Sequence, residues 1–156
     1  MVSQVTPREG SPRVLFDTSA LSKRYVAEAG RQRILDLFAA TGAAFVAAHC
    51  QAEVASMLLR RRQQGSLSAT EFDRAWTMAQ QDVADMERVP LDAHVERFAF
   101  AAMEHAPLRA TDALHIGSAL SARVDLFVTC DQMQANAARQ LGLRTEYVPS
   151  APEEAS

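Results

Sequence analysis

The sequence predicts an α/β fold of three layers, in which a mainly parallel sheet of four to five strands is flanked by helices. Short β-rich runs alternate with longer stretches of helical periodicity. Strands separated by helices of that length join through right-handed crossovers that cover both faces of a sheet. Several helical stretches also stop at a glycine, the residue best suited to the left-handed conformation that ends a helix.

In chain order the strand candidates are residues 13–16 (RVLF), 44–47 (AFVA), 125–130 (DLFVTC) and 145–148 (TEYV), with 87–90 as a weaker fifth. The helical candidates are residues 28–40, 49–64, 69–86, 92–105, 109–122 and 132–141, with Gly42, Gly65 and Gly142 as terminators. Residues 1–12 and 149–156 are rich in Pro, Gly, Ser and charge. They are expected to be flexible tails around one domain, residues 13–148.

A chain of 156 residues is long enough to enclose the core of one domain. Its apolar fraction of 48% and charged fraction of 22% are those of an ordinary soluble protein. The net charge of −3 does not exclude a nucleic-acid partner, because two divalent ions on a cluster of acids would turn −3 into +1. Cys50 and Cys130 belong to no zinc-like set and read as buried thiols of a reducing compartment. The N-terminus lacks a signal-peptide core and no run approaches the roughly 18–20 apolar residues of a membrane span. A cytoplasmic protein with no membrane association is expected.

Four acids stand out. Asp17 and Asp131 each follow an apolar strand candidate, which places both at the carboxyl rim of a parallel sheet if the strands are neighbours. The competing reading is that each caps the following helix. Glu53 lies in a helical turn of small and apolar residues, where the alternative is a first-turn acid favoured by the helix dipole. Asp112 sits in a segment apolar or small almost throughout, where an unpaired buried charge would cost several kcal/mol. Its alternative is a cap paired with Arg109. Gly117 and the neighbouring alanines would let that helix approach another element closely.

Carboxylates gathered in one place raise each other's pKa unless a cation holds them ionised. Hard oxygen ligands suit Mg²⁺ or Mn²⁺. Two such ions roughly 3.5–4 Å apart can activate a water and stabilise the leaving oxygen in phosphodiester cleavage.

Phe16-Asp17-Thr18-Ser19-Ala20-Leu21, Ala52-Glu53-Val54, Leu108-Arg109-Ala110-Thr111-Asp112-Ala113-Leu114-His115 and Val128-Thr129-Cys130-Asp131 resemble, in order and spacing, the motifs of PIN-domain proteins, and most of all VapC-type toxins. The resemblance spans about residues 13–148 and implies a PIN-like fold. It further implies a Mg²⁺- or Mn²⁺-dependent endoribonuclease, a homodimer, and an antitoxin partner that blocks the active site. The acidic site it implies is Asp17, Glu53, Asp112 and Asp131, with Thr18, Ser19 and Thr129 in support. Gly117 departs from the family's frequent Ala, and Gln132-Met133-Gln134-Ala135 lacks its frequent basic or aromatic residue; both bear on substrate preference.

Other chemistries find little support. Ser19 stands where a haloacid-dehalogenase-type phosphatase needs a second Asp, and neither a GxSxG elbow nor a GxxxxGK[ST] loop occurs. His49, His94, His105 and His115 form no pair three or four apart, so imidazole metal binding is not expected, and His115 is expected beside Asp112 on its helix. Arg60 and Arg61, with Arg109, are candidates for RNA phosphate contact. Trp76, Phe98, Phe100 and Met103 are expected to be core or dimer contacts, with the core as the default. The resulting expectation is an endoribonuclease toxin; the alternatives are an RNA-processing nuclease without a toxin role and a catalytically silent binding module.

Overall fold

The computed structural model describes residues 10–151. Strands β1 (Arg13–Phe16), β2 (Ala43–Ala47), β3 (Glu87–Val89), β4 (Leu126–Thr129) and β5 (Thr145–Tyr147) form one parallel sheet in the order β3-β2-β1-β4-β5. The helices are α1 (Thr18–Leu21), α2 (Arg31–Ala40), α3 (Cys50–Gln63), α4 (Ala69–Asp85), α5 (Ala93–His105), α6 (Ala110–Ser121) and α7 (Gln132–Gln140). The short α1 and the 3-10 turn Ser22–Arg24 behind it were not expected, since four residues are too few to display helical periodicity.

Alternation along the strands divides the core into two layers. Val14 and Phe16 of β1, with Val46 and Val128, pack against Ile34, Val54, Leu58, Ala79 and Val83 of α2, α3 and α4. Leu15, Phe45 and Phe127 face the opposite way, against Val95, Ala99, Ile116, Ala119, Ala137 and Ala138 of α5, α6 and α7. Each large apolar side chain so buried contributes about 1.5–3 kcal/mol. This is why the central strands β1, β2 and β4 read as near-continuous apolar runs.

Gly117 of α6 faces α5 at close range: a Cβ there would collide with the Val95 carbonyl oxygen and lie 3.0 Å from the Ala99 nitrogen. α5 answers with Val95, Ala99 and Ala102 on its inner face. Phe98, Phe100 and Met103 therefore fall on its outer side, 37%, 62% and 37% exposed, contrary to the expectation that they are core. Trp76 does pack against the first core layer.

Gly65 and Gly142 terminate α3 and α7 with positive φ of 75° and 80°, and the following residues bond back to Arg61 and Ala138. Gly42 does not act this way. It has no positive φ, and the space a side chain would need is filled by Ser11. The Pro12 carbonyl accepts from the amides of Gly42 and Ala43, so residues 11 and 12 pack against the sheet; residues 1–9 and 152–156 of the expected tails lie outside the described residues. Among the described residues no helix is long and apolar enough to cross a membrane.

From β1 the chain steps outward to β2 and β3, then returns through α5 and α6 to lay β4 on the other side of β1. Strand order thus reverses between β1 and β4. In parallel α/β sheets the crevice at the carboxyl ends of such a pair is where ligands bind. Phe16 is level with Val128, and the Asp17 amide donates to the Val128 carbonyl at 3.1 Å, so Asp17 leaves β1 beside Thr129.

Candidate active site

Asp17 is fully buried, caps α1, and has both oxygens occupied. Oδ1 accepts from the Ala20 amide at 2.9 Å and from the Ser19 hydroxyl at 2.7 Å. Oδ2 accepts from the Thr129 hydroxyl at 2.6 Å and from the same Ser19 hydroxyl at 2.9 Å. Thr129 also accepts from the Asp131 amide, and Ser19 from the Cys130 amide, so these two hydroxyls lace the ends of β1 and β4 together. Burial raises the Asp17 pKa, against the opposing pull of His115 and of the donors Thr129, Ala20 and Ser19.

Asp131 caps α7, its Oδ1 accepting from the Gln134 amide at 3.0 Å. Capping and a place on the carboxyl rim are thus compatible for both Asp17 and Asp131. Asp112 lies in the first turn of α6, with Oδ2 3.2 Å from Arg109 Nε and Oδ1 3.4 Å from Gln134 Nε2.

Glu53 has the partners that its apolar turn demanded. Its Oε1 receives the Thr18 hydroxyl at 2.8 Å, His115 Nε2 at 2.6 Å and His49 Nε2 at 3.3 Å. Desolvation works to raise the Glu53 pKa, but hydrogen bonds from His115 and then His49 outweigh it and hold the carboxyl well below the usual carboxylate range. Desolvation likewise opposes charge on His49, yet the bond to Glu53 and its negative charge raise the His49 pKa. The Nε2 of His115 bonds to Glu53 and not to Asp112, its expected neighbour three residues earlier on α6, because the carboxylate satisfies that nitrogen of a ring only 1% exposed. His49 stands four residues before Glu53, a spacing that puts both on one helix face and was available in the sequence.

Asp17, Glu53, Asp112 and Asp131 all line one cavity of about 350 Å³ at the sheet's carboxyl edge, together with Thr18, Ser19 and His115. Arg60, Arg61 and Arg109 line it too, whereas Arg62 turns away to lie over the Phe72 ring at 5.2 Å. The lining residues that were not anticipated include Lys23 and Glu28. Lys23, 1% exposed, pairs with Glu28 at 3.3 Å, and Glu28 pairs in turn with Arg61 at 2.9 Å. Burial pushes the thiols of buried Cys50 and half-buried Cys130 up to about 12, so neither supplies a thiolate.

The acids suit a hard cation. Among the described residues no donor reaches Glu53 Oε2 or Asp131 Oδ2, which leaves a carboxylate oxygen free on each of two elements facing one cavity. An all-oxygen donor set is the one Mg²⁺ and Mn²⁺ prefer.

The PIN domain family profile matches residues 14–140. No curated protein sequence matches the chain significantly. Among solved structures, FitAcB from Neisseria gonorrhoeae superposes with a TM-score of 0.62 at 14% identity, covering 85% of this chain and 95% of that one. A Mycobacterium tuberculosis VapC described as a sarcin-ricin-loop-cleaving toxin gives 0.60 at 17% identity, covering 80% and 94%. A VapBC complex from Rickettsia felis, bound to a DNA fragment of its promoter, gives 0.59 at 13% identity over 87% and 98%. At these identities the likeness is one of fold.

Proposed function

The chain belongs to the PIN domain family, and from that premise we propose that it is a metal-dependent endoribonuclease, the toxin of a VapBC-type toxin–antitoxin pair. Residues 13–148 are its nuclease domain, and it acts on RNA in the cytoplasm. The observation that carries this reading is the convergence of Asp17, Glu53, Asp112 and Asp131 on one cavity at the crevice between β1 and β4. Support for the toxin role comes from structural neighbours that are toxins or toxin–antitoxin complexes, one of them described as a sarcin-ricin-loop-cleaving toxin. A cognate antitoxin covering this cavity, and a homodimer, belong to the same reading.

In this reading the four carboxylates hold Mg²⁺ or Mn²⁺, which when bound supplies charge neutralisation and Lewis acidity at the scissile phosphate. Glu53 and Asp131 offer their unengaged oxygens. Asp17 is fixed by Ser19, Thr129 and the Ala20 amide, and Asp112 by Arg109 and Gln134. Thr18 orients Glu53 as Ser19 and Thr129 orient Asp17. Arg60, Arg61 and Arg109 bind phosphates of the RNA and steer it toward the acids.

Purified protein should cleave structured RNA with Mg²⁺ or Mn²⁺ and stop when EDTA is added. Asp112→Asn should slow cleavage by at least about 100-fold, which corresponds to about 2.7 kcal/mol of lost transition-state stabilisation. Wild-type rates in that variant would overturn the site. Induced expression should also arrest a bacterial host, with relief from the adjacent antitoxin gene; unimpeded growth with active protein would point to RNA processing instead.

A further inference from the structure

His49, Glu53 and His115 form a second constellation at the edge of the same cavity, of a different chemical character from the carboxylates. One ligating atom from each lies within 4.8 Å of the others. His115 Nε2 is 2.6 Å and His49 Nε2 3.3 Å from Glu53 Oε1, and the two rings are tilted by 41° with centroids 4.4 Å apart. The three come from opposite layers of the fold. His49 and Glu53 stand at the start of α3, four residues apart on one face, whereas His115 projects from α6. Packing of α3 and α6 around the carboxyl edge fixes the convergence before any ion arrives.

Two imidazoles and one carboxylate are the donor set of a borderline-soft divalent ion, and a poor one for Mg²⁺, which prefers oxygen and retains its waters. We propose that His49, Glu53 and His115 bind Zn²⁺, and that Zn²⁺ there inhibits the chain. The inhibitory half rests on the nuclease reading above: Glu53 cannot serve both ions, so Zn²⁺ bound by the histidines withdraws it from the hard-metal set.

The structure also sets the strength of this site. Zn²⁺ takes the position of the protons now shared with Glu53, and its ligand bonds of about 2.0–2.2 Å require the 2.6 Å contact to widen to roughly 3.3 Å. Glu53, about a quarter exposed, has the freedom to turn. His49 must also release the Thr111 carbonyl, 2.9 Å from its Nε2. Among the described residues the buried Nδ1 of His115 has no partner, so this ring lacks the outer hydrogen bond that usually strengthens a metal-bound imidazole. The site is therefore of moderate affinity and reversible.

The test uses the full chain, stripped with EDTA and dialysed, with no Mg²⁺ or Mn²⁺ present. Zn²⁺ should bind with 1:1 stoichiometry in calorimetry, and Co²⁺ should give the visible absorption of a low-coordinate site with nitrogen ligands. His49→Gln and His115→Gln should each weaken Zn²⁺ by at least about tenfold, as loss of a ligand requires at minimum. Asp131→Asn should leave it unchanged. Should the buried His115→Gln fail to fold by circular dichroism, the more exposed His49→Gln decides. No Zn²⁺ binding to wild type, or equal binding to wild type and His49→Gln, overturns the site. In RNA cleavage with Mn²⁺, the half-inhibiting Zn²⁺ concentration should rise at least about tenfold in His49→Gln, relative to that variant's own uninhibited rate. Cleavage supported by Zn²⁺ overturns the inhibitory role. A protein that cleaves no RNA with any ion refutes the nuclease reading, while the calorimetry still judges the zinc site alone.

Discussion

The Thr129 hydroxyl donates to Asp17 Oδ2 across 2.6 Å, in a place where both residues are fully buried. A carboxylate taken out of water keeps its charge only through such donors, and Thr129 is also the acceptor for the Asp131 amide. Thr129→Val keeps the shape and removes both bonds. It should cost about 1–3 kcal/mol, the penalty of leaving buried polar groups unsatisfied, and Thr129→Ser should cost less. Urea unfolding of the metal-free proteins measures this; a Val variant as stable as wild type would show that Asp17 does not depend on the hydroxyl.

Asp17 itself should be a liability without metal. Its folded pKa is raised above the ordinary 3.8, so its contribution to stability is complete only below that value and is lost as pH rises through the folded pKa. At neutral pH, Asp17→Asn should therefore raise the melting temperature of the metal-free protein. Mn²⁺ should reverse the order, since wild type gains about 2.7 kcal/mol at a hundred times the dissociation constant and the variant much less. An unchanged Mn²⁺ response in the variant would remove Asp17 from the metal site.

Glu53 and His49 set a pH window in the opposite sense. The Glu53 pKa is lowered, so its contribution is present above about 4.5 and lost as pH falls toward its folded value. The His49 pKa is raised, so its contribution is complete below 6.5 and lost as pH rises through the folded value. His115 is the larger cause of the Glu53 shift and His49 the smaller, so the His49–Glu53 pair is the part common to both shifts, and it should be strongest between those limits. Glu53→Gln should flatten both limbs in a series of metal-free unfolding curves, and parallel profiles for the two proteins would contradict the pairing.

Gly117→Ala tests the contact between α5 and α6. Alanine in a helix interior ordinarily stabilises relative to glycine by roughly 0.5–1 kcal/mol. Here its Cβ meets the backbone of Val95, which cannot rotate away. Overpacking of this kind costs about 1–3 kcal/mol, so the variant should melt below wild type. A higher melting temperature would show that α5 yields without strain.

The α/β class, four strands with a weaker fifth, and six of the seven helices among the described residues were legible in the local pattern, because burial writes apolar runs into the central strands and amphipathic periods into the helices. The sequence by itself also determined which acids to notice, since a charge in a small, apolar turn needs a partner wherever the chain goes. Which partner it finds depends on how distant elements pack. Glu53 and His115 are 62 residues apart and meet because α3 and α6, on opposite faces of the sheet, converge at its carboxyl edge. The same edge brings Asp17 beside Thr129, 112 residues away, through the β1–β4 pairing that reverses the strand order. Phe98, Phe100 and Met103 turned outward for a related reason: Gly117 draws α5 so close that only small side chains fit between the helices. Local pattern fixes what a segment buries, and the distance between two segments in space depends on every element packed between them.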